Sequence, residues 1–276
     1  MNLFRLLGLQ SLYEQLRSFS GRFHSFQKNR KMLFLLLLFL LIIVLTYYFS
    51  NKENFDTNDK IRYYVITLHS QDRLENIRKQ QEKLKAKIEL FDGIIGKNLK
   101  NIDIQSSKDP VIEFTENINL DDNTQDNTIK KNEIGCYLSH YYLYKKIAQE
   151  NTSSTYSVIF EDDFIINNDF ENELNNALSF IDDFDIIYLY LHGHTETEKK
   201  TNNICIITED TGLFGTGAYI INNKNINKLI NETKIMKTQI DVQLQNIIRS
   251  KKLKVYKFCP YIVNISGLPS TIQTFE

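Results

Sequence analysis

The sequence predicts an α/β domain with a mostly parallel central sheet, preceded by one membrane-spanning helix. Short β-branched and aromatic segments alternate with longer segments of helical period between residues 61 and 276. A separate uncharged run near the N-terminus has the length of a membrane span. Three adjacent carboxylates, Glu161, Asp162 and Asp163, directly follow one predicted strand. The first two observations define the fold class, and the third gives the position of the expected site.

The membrane-spanning helix is predicted over Met32–Phe49, a run without charge that is dominated by Leu, Ile and Phe. The basic tail 1–31 precedes it, and the positive-inside rule places that tail in the cytoplasm. Residues 50–60 then form a polar stem, and 61–276 form the folded domain in a lumenal (ER or Golgi) or other extracytoplasmic compartment. This is a single-pass type II arrangement in which membrane lipid contacts 32–49. The net charge of −1 argues against nucleic acid as a partner.

The folded domain opens with a strand–helix–strand unit. Arg62–Leu68 is β-branched and aromatic, which predicts the first strand. Ser70 is the expected N-cap of a helix over 71–86. Ile88–Phe91 is the next short strand. A helix between two strands indicates a parallel pair, and hence the start of a parallel sheet.

Residues 97–132 are polar, rich in Asn and Asp, and weakly periodic. A loop of this length inside a compact domain is usually an insertion, a lid or disordered, and we interpret it as a variable insertion or lid over the site. Helical spacing resumes over 133–150. Cys136 and His140 lie on its apolar stripe, which favours packing for the cysteine and a hydrogen-bonded core position for the histidine.

The rest of the chain continues the alternation of strands and helices. Tyr156–Phe160 is the buried strand that leads into the carboxylates. Cys136, Cys205 and Cys259 match no zinc spacing and leave open either one disulfide or three thiols. Further strands are expected at 185–191, 203–207, 216–222 and 253–258, and further helices at 169–181, 224–232 and 238–250.

The acidic triplet predicts a metal-assisted site for a phosphorylated substrate. A chain that leaves a buried strand directly into Glu-Asp-Asp places negative charge at the carboxyl edge of the sheet, where open α/β sheets bind ligands. Carboxylate oxygens are hard ligands that suit Mg²⁺ or Mn²⁺. A solvated turn or helix cap without metal is the alternative.

Several segments occur together in an order that matches a known family. They are YYVITLHSQDRLENI, LFDGIIGKNL, NEIGCYLSHYYLYKKI, YSVIFEDDF, GTGAYIIN, the I-D pair at 240–241 and PYIV…GLPSTI. Across about 62–273 the chain resembles glycosyltransferase family 25, which includes bacterial lipooligosaccharide and procollagen galactosyltransferases. The E-I-G-C-x-x-S-H segment followed by E-D-D is the most specific part of the match.

The resemblance implies a single domain of GT-A type and a metal-dependent transferase that inverts the anomeric carbon. The donor would be a nucleotide sugar, usually UDP-galactose, with Mn²⁺ or Mg²⁺ as cofactor. The acceptor would be a hydroxyl of a glycan or a protein. A catalytically inactive adhesion or scaffold protein of the same family is the alternative, and the persistence of the acidic triplet favours activity over it.

The resemblance also implies roles for individual carboxylates. Asp163 and Glu161 are expected to hold the metal, and Glu161 and Asp162 to orient the donor ribose and water. Asp241 in the I-D pair is the expected general base, with Asp163 as the other catalytic residue. An ordinary carboxylate at a helix N-terminus is the alternative for Asp241.

Four more residues are candidates for donor binding. Arg73 follows the first strand closely, so that its guanidinium could reach the diphosphate or base, or could remain an exposed helix charge. Ser139 and His140 match the family motif. Glu133 could point toward the donor or cap its own helix.

Overall fold

The computed structural model describes residues 36–43, 60–113, 130–150, 154–192, 197–199, 203–207 and 214–268. The chain divides into two units, Met1–Asp56 and Thr57–Glu276. In the first unit, residues 36–43 are helical, and the rest of the predicted span Met32–Phe49 lies outside the described residues. Within the described part of the chain, no helix is both long and apolar enough to cross a membrane.

The second unit contains strands that form one large sheet and two small ones. The strands are β1 (Ile61–Thr67), β2 (Ile88–Asp92), β3 (Val111–Ile112), β4 (Tyr156–Glu161), β5 (Phe164–Ile166), β6 (Ile186–His192), β7 (Thr197–Lys199), β8 (Ile204–Ile207), β9 (Phe214–Asn222), β10 (Ile235–Met236), β11 (Val255–Phe258) and β12 (Val263–Ile265).

The large sheet has eight strands over the described residues, in the order β2-β1-β4-β9-β6-β11-β8-β7. β9 runs antiparallel to both of its neighbours, β4 and β6. β8 runs antiparallel to β11 and β7, and the other strands share one direction. β3 and β10 form a parallel pair, and β5 and β12 an antiparallel pair. The predicted α/β fold with a mostly parallel sheet is therefore confirmed, with β9 as an antiparallel insertion at its centre.

Helices cover both faces of the large sheet. They are α1 (Gln71–Gln81), α2 (Asn101–Gln105), α3 (Lys131–Gln149), α4 (Phe170–Phe180), α5 (Ile226–Thr233) and α6 (Ile240–Arg249). The neighbouring Tyr63 and Tyr64 of β1 point to opposite faces, as strand geometry requires, and belong to two separate hydrophobic clusters. One cluster joins the sheet to α3, α5 and α6, and the other joins it to α1 and α4. The fold thus has three layers, helix–sheet–helix.

The predicted strands and helices agree with the observed ones to within about two residues at each end, apart from the first helix. That helix was expected over 71–86 and ends at Gln81. The Gln81 side chain explains the early end, because it donates to the Ala86 carbonyl at 3.0 Å and accepts the Ile88 N–H at 2.6 Å. A side chain that binds the following loop in this way replaces the helical hydrogen bonds that would continue α1.

The first part of the polar stretch 97–132 is packed rather than loop-like. It contains α2 and β3, whose Ile104 and Ile112 are buried in the core that includes α3. Residues 114–129 of the stretch lie outside the described residues, and for them the insertion or lid stays a prediction. Two isoleucines in an otherwise polar sequence are a weak periodic signal, which explains why the pattern did not predict these elements.

Of the two alternatives for the cysteines, the structure contains the disulfide. Cys205 on β8 is bonded to Cys259, which directly follows β11, with their Cα atoms 6.0 Å apart. The bond links two strands that are already neighbours in the large sheet. Cys136 on α3 is a free thiol.

Gly135 allows α3 to cross closely over the loop that follows β2. A Cβ atom at this position would lie 2.5 Å from the Ile94 carbonyl oxygen and 2.7 Å from the Gly96 amide nitrogen. One turn later, the Ser139 hydroxyl accepts the Ile94 N–H at 2.8 Å and donates to the Gly135 carbonyl at 2.7 Å. Gly135 and Ser139 therefore fix the position of α3 against the sheet edge.

Replacing Gly135 by alanine should lower the free energy of unfolding by about 1–3 kcal/mol, as overpacking of a filled interior does. The better helix propensity of alanine, worth about 1 kcal/mol, acts in the opposite direction but cannot relieve contacts with backbone atoms. Urea unfolding measures the difference. Gly217→Ala is the matched control, because its new Cβ would meet nothing closer than a Tyr190 ring carbon at 3.4 Å. Equal stability of the Gly135→Ala and native proteins would contradict this account of α3 packing.

Candidate active site

The three predicted carboxylates leave the sheet together at the carboxyl end of β4. Glu161 is the last residue of β4 and pairs in register with Ile66 near the end of β1. Asp162 and Asp163 form the turn from β4 into β5. The triplet therefore lies at the edge of the sheet that the sequence predicts for ligand binding.

Two cavities meet at this triplet. The β1-side cavity has a volume of about 590 Å³ and lies against the loops that follow β1 and β2. The β9-side cavity has a volume of about 690 Å³ and lies against the starts of β9 and α6. Asp162 lines the first and Asp163 the second, whereas Glu161 and Cys136 line both. A third cavity of about 800 Å³ between α1 and β2 is lined by other described residues and includes none of the triplet.

One buried arginine is bonded to both aspartates. Arg73 in the first turn of α1 is 3% exposed, and its Nη1 lies 3.0 Å from Asp162 Oδ1 and 3.1 Å from Asp163 Oδ2. Asp162 also accepts the Leu68 N–H at 3.4 Å. The alternative of an exposed helix charge for Arg73 is therefore wrong, because the guanidinium is engaged at the wall of the β1-side cavity. Its contact with a donor diphosphate stays a prediction.

The charge balance at the triplet suits a divalent cation. Burial raises the pKa of Asp162 and Asp163, and the neighbouring Glu161 carboxylate raises that of Asp163 further, while Arg73 acts in the opposite direction. Like charges held together in a cavity repel each other, and a cation between them would relieve that repulsion. Asp163 and Glu161, which share the β9-side cavity, therefore fit the oxygen-ligand set that Mn²⁺ or Mg²⁺ requires.

Glu161 is held by groups from α3 and β9. The Thr216 hydroxyl donates to Glu161 Oε1 at 2.6 Å, and His140 Nε2 lies 3.5 Å from the same oxygen. On the far side of the ring, His140 Nδ1 shares a hydrogen bond of 2.7 Å with the Tyr219 hydroxyl, which lies 2.8 Å from the Tyr144 hydroxyl. Burial raises the pKa of Glu161, but His140 and Thr216 together outweigh it, so that the pKa lies below its usual value. Glu161 is therefore ionised at neutral pH.

Asp241 faces the β9-side cavity from the first turn of α6. Its Oδ2 accepts the Gly215 N–H at 3.1 Å. Gly215 has φ of +89°, the left-handed region that favours glycine, and this conformation directs its N–H toward Asp241. Asp241 is therefore both a carboxylate at a helix N-terminus and a member of the cavity wall that contains Asp163.

Glu133, Ser139 and His140 make structural hydrogen bonds and also line one of the two cavities. Glu133 caps α3 by accepting the Lys130 N–H at 2.8 Å, and it also accepts from Gln239 Nε2 at 2.5 Å at the edge of the β9-side cavity. Ser139 is buried in its contacts with the loop after β2, at the wall of the β1-side cavity. His140 is the hydrogen-bonded core histidine that the stripe predicts.

The packing role predicted for Cys136 is confirmed by its contact with the hydrophobic core around α3, but the sequence did not predict its place at a cavity wall. Its side chain is half-buried and forms part of the wall of both cavities. Thr216 and Gln239 were missed by sequence reasoning, although both lie next to residues that the family motifs contain. Thr216 lies between two glycines in the segment GTGAYIIN, and its contact with Glu161 follows from the pairing of β9 with β4, which the sequence does not reveal.

These features define a class of α/β protein that binds its ligand at the carboxyl edge of the sheet, with acidic residues between two cavities. The profile of the family described as Glycosyltransferase family 25 (LPS biosynthesis protein) matches residues 60–244, more than half of the chain. The chain therefore belongs to glycosyltransferase family 25.

Curated relatives and solved structures were also found. Procollagen galactosyltransferase 1-A of Xenopus laevis is 25% identical over 181 residues, which cover 63% of this chain and 28% of that protein. Procollagen galactosyltransferase 2 of Homo sapiens is 28% identical over 108 residues, which cover 37% of this chain and 17% of that protein. The chain thus spans less than a third of the length of these relatives. The glycosyltransferase GlyE of Streptococcus pneumoniae TIGR4 aligns at 14% identity and a TM-score of 0.34, covering 72% of this chain and 45% of that one.

Replacing Arg73 by glutamine should lower the free energy of unfolding at pH 7 by about 3–5 kcal/mol, because it leaves the buried carboxylate of Asp162 and the half-buried one of Asp163 without their cation. The loss should shrink as pH falls. The carboxylates already have raised pKa values in the folded state, and protonation removes the uncompensated charge. Urea unfolding at a series of pH values measures both effects.

Arg78→Gln is the matched control, since Arg78 lies on the same helix and pairs with Glu75 and Glu82 on the exposed surface. Exposed ion pairs of this kind contribute little to stability, so this variant should unfold almost as the native protein does. If Arg73→Gln cost no more than Arg78→Gln, or if its cost did not depend on pH, the central role of Arg73 would be wrong.

Proposed function

We propose that this protein transfers a hexose, with galactose as the expected sugar, from a UDP-sugar to a hydroxyl of a glycan or protein acceptor. The reaction is metal-dependent and inverts the anomeric carbon, on a domain of GT-A type. The observation that carries the proposal is the position of the acidic triplet between two cavities, with Asp163 and Asp241 in the walls of the same one. Membership of glycosyltransferase family 25 supports the same assignment.

The two cavities suit the two halves of the donor. The β1-side cavity lies beyond the carboxyl ends of β1 and β2, the position at which open α/β sheets take nucleotides. Asp162 and the Arg73 guanidinium line it, and they would orient the ribose and the diphosphate. The β9-side cavity would then take the hexose and the acceptor hydroxyl. Glu161, which lines both, stands where the diphosphate would pass from one to the other.

Asp163 and Glu161 are the residues that would hold Mn²⁺ or Mg²⁺. When bound, such a cation offsets the negative charge that builds on the departing diphosphate. The Thr216 hydroxyl keeps Glu161 fixed at the cavity edge. Arg73 orients Asp163 and counteracts the rise in its pKa that burial and Glu161 cause.

Asp241 is the proposed general base. Its carboxylate would take the proton of the acceptor hydroxyl as the hydroxyl oxygen attacks the anomeric carbon from the face opposite to the departing UDP. The Gly215 N–H and the helix N-terminus hold this side chain, and the hydrogen bond between Gln239 and Glu133 holds the start of α6 against α3. His140 and Ser139 support this arrangement by positioning Glu161 and α3.

We further propose a single-pass type II membrane protein with the transferase domain on the lumenal or extracytoplasmic side. The uncharged run over 32–49 and the basic tail before it support the anchor and its orientation. The Cys205–Cys259 disulfide supports an oxidising compartment for the domain.

In the activity test, the purified chain is supplied with Mn²⁺ and several UDP-sugars in turn, and hydrolysis and transfer are measured. We expect Asp163→Asn to lose both Mn²⁺-dependent donor binding and turnover. Asp241→Asn should keep donor binding and lose about 10²–10⁴-fold in kcat, the usual contribution of a general base. Asp103→Asn, on the exposed surface of α2, is the control for removal of a carboxylate. If no UDP-sugar is bound or turned over with metal present, the alternative of an inactive adhesion or scaffold protein replaces the enzyme.

The topology test uses sealed membrane vesicles that carry the intact chain. Protease added outside should remove an epitope tag on the 1–31 tail and leave the transferase domain intact until detergent opens the vesicles. The reason is that the positive-inside rule retains the basic tail on the cytoplasmic face. Digestion of the domain in intact vesicles would contradict the type II arrangement.

A further inference from the structure

Three side chains of different chemistry converge on the wall between the two cavities. The Cys136 thiol, a ring nitrogen of His140 and a carboxylate oxygen of Glu161 all lie within 4.8 Å of one another. Cys136 and His140 are four residues apart on α3 and therefore share one face of the helix. Glu161 reaches the same point from the end of β4. The function proposed above uses Glu161 alone of the three as a metal ligand.

The Nε2 atom of His140 faces this point and makes no hydrogen bond to a described residue there, although it lies near the Glu161 carboxylate. The ring is 1% exposed, and its Nε2 makes no hydrogen bond with any residue in the described part of the chain. The nearest carboxylate oxygen, of Glu161, is 3.5 Å away, at the limit of hydrogen-bond length and without the required alignment. A buried ring nitrogen without a partner is costly. Such an atom, directed between a thiol and a carboxylate, indicates a ligand that all three would share.

The groups behind the three side chains resemble the outer shell of a metal site. A histidine that binds metal through Nε2 usually has its Nδ1 fixed by a hydrogen bond. Here Tyr219 holds Nδ1, and Tyr144 in turn contacts Tyr219. The Thr216 hydroxyl donates to Glu161 in the same manner. Both cavities give access to the site, since Cys136 and Glu161 line each of them.

The combination of sulfur, nitrogen and oxygen selects the metal. Zn²⁺ takes Cys, His and carboxylate ligands at about 2.0–2.3 Å, so ligand atoms around it stand roughly 3.6 Å apart. The 4.8 Å limit observed here requires side-chain movements of about 1 Å, which the half-buried Cys136 and Glu161 can make. Mn²⁺ and Mg²⁺ prefer oxygen and would not select a thiolate. Three protein ligands beside a cavity leave a fourth position for water.

We propose that Cys136, His140 and Glu161 form a Zn²⁺ site, separate from Asp163, and that zinc bound there inhibits the transferase. Binding replaces the thiol proton: the Zn–S bond forms as the S–H bond breaks, and the proton is released to solvent. Inhibition follows because zinc withdraws Glu161 from the cation at Asp163 and stands between the two cavities. The inhibitory part of the proposal rests on the proposed function; the binding part does not.

The binding experiment uses Co²⁺ as a probe, followed by displacement with Zn²⁺. A thiolate bound to Co²⁺ gives a charge-transfer band that oxygen and nitrogen ligands do not give. The full chain is used without reductant, so that the disulfide keeps Cys205 and Cys259 from supplying a thiolate. We expect one Co²⁺ per chain with this band, and its loss on addition of Zn²⁺.

Variants show which residues bind Co²⁺ and Zn²⁺. Cys136→Ser should abolish the band, and His140→Asn and Cys136→Ser should each weaken zinc binding by more than about 100-fold, beyond the 10–100-fold typical of an outer-shell change. Tyr219→Phe should weaken zinc binding by about 10–100-fold. Asp163→Asn should leave the zinc affinity unchanged. Thermal unfolding with and without zinc checks that each variant folds, and zinc should raise the Tm of the native protein and not that of Cys136→Ser.

The absence of a thiolate band, or zinc affinity unchanged in Cys136→Ser, would overturn the site. Because these measurements need no donor, they remain decisive even if no UDP-sugar is a substrate. In an active preparation, zinc should inhibit the native protein more strongly than Cys136→Ser, each compared with its own zinc-free rate. If zinc binds but inhibits the native protein and Cys136→Ser equally, the zinc site is supported and its inhibitory role is overturned.

Discussion

A single buried guanidinium allows clustered carboxylates to stand at the edge of the sheet. Arg73 offsets part of the negative charge of Asp162 and Asp163, and its planar group reaches both at hydrogen-bond distance. The same face of α1 continues the contact, since Asn76 donates to two backbone carbonyls of the β4–β5 region and Gln80 accepts an N–H at the end of β5. Hydrogen bonds from the polar face of α1 thus fix the backbone on both sides of the acidic turn. The shape of both cavities depends on this contact, because the turn contributes Asp162 to one cavity and Asp163 to the other.

Much of this arrangement could be predicted from the sequence, for a physical reason. Apolar periods and strand propensities are local properties, and they gave the strands of the large sheet except β7, the helices of the second unit except α2, and the acidic triplet after β4. The direction of β9 is not a local property, because an inserted antiparallel strand has the same alternation as a parallel one. Thr216 therefore could not be assigned to Glu161 in advance. The disulfide was also open, since only the pairing of β8 with β11 brings Cys205 and Cys259 together.

The segment E-I-G-C-x-x-S-H shows how a family motif combines packing with site chemistry. Gly135 and Ser139 fix α3 against the loop after β2, and Glu133 fixes its first turn. With the rotation of the helix determined in this way, Cys136 and His140 necessarily face the end of β4. An apolar stripe predicts only that a residue faces the interior. It cannot distinguish a position in the core from one at a cavity wall, and Cys136, which packs against the core and also lines both cavities, combines the two.

Gly215 and Thr216 are consecutive on β9, yet they serve different carboxylates. The first binds Asp241 through its backbone, and the second binds Glu161 through its side chain. These two consecutive residues thereby link the proposed position of the general base to the proposed position of the donor. A backbone change at this point alters both at once. A change of sugar or acceptor that keeps both contacts would therefore have to come from the surrounding loops. The dipeptide Gly215–Thr216 would stay the same while the sugar preference and the acceptor preference change separately.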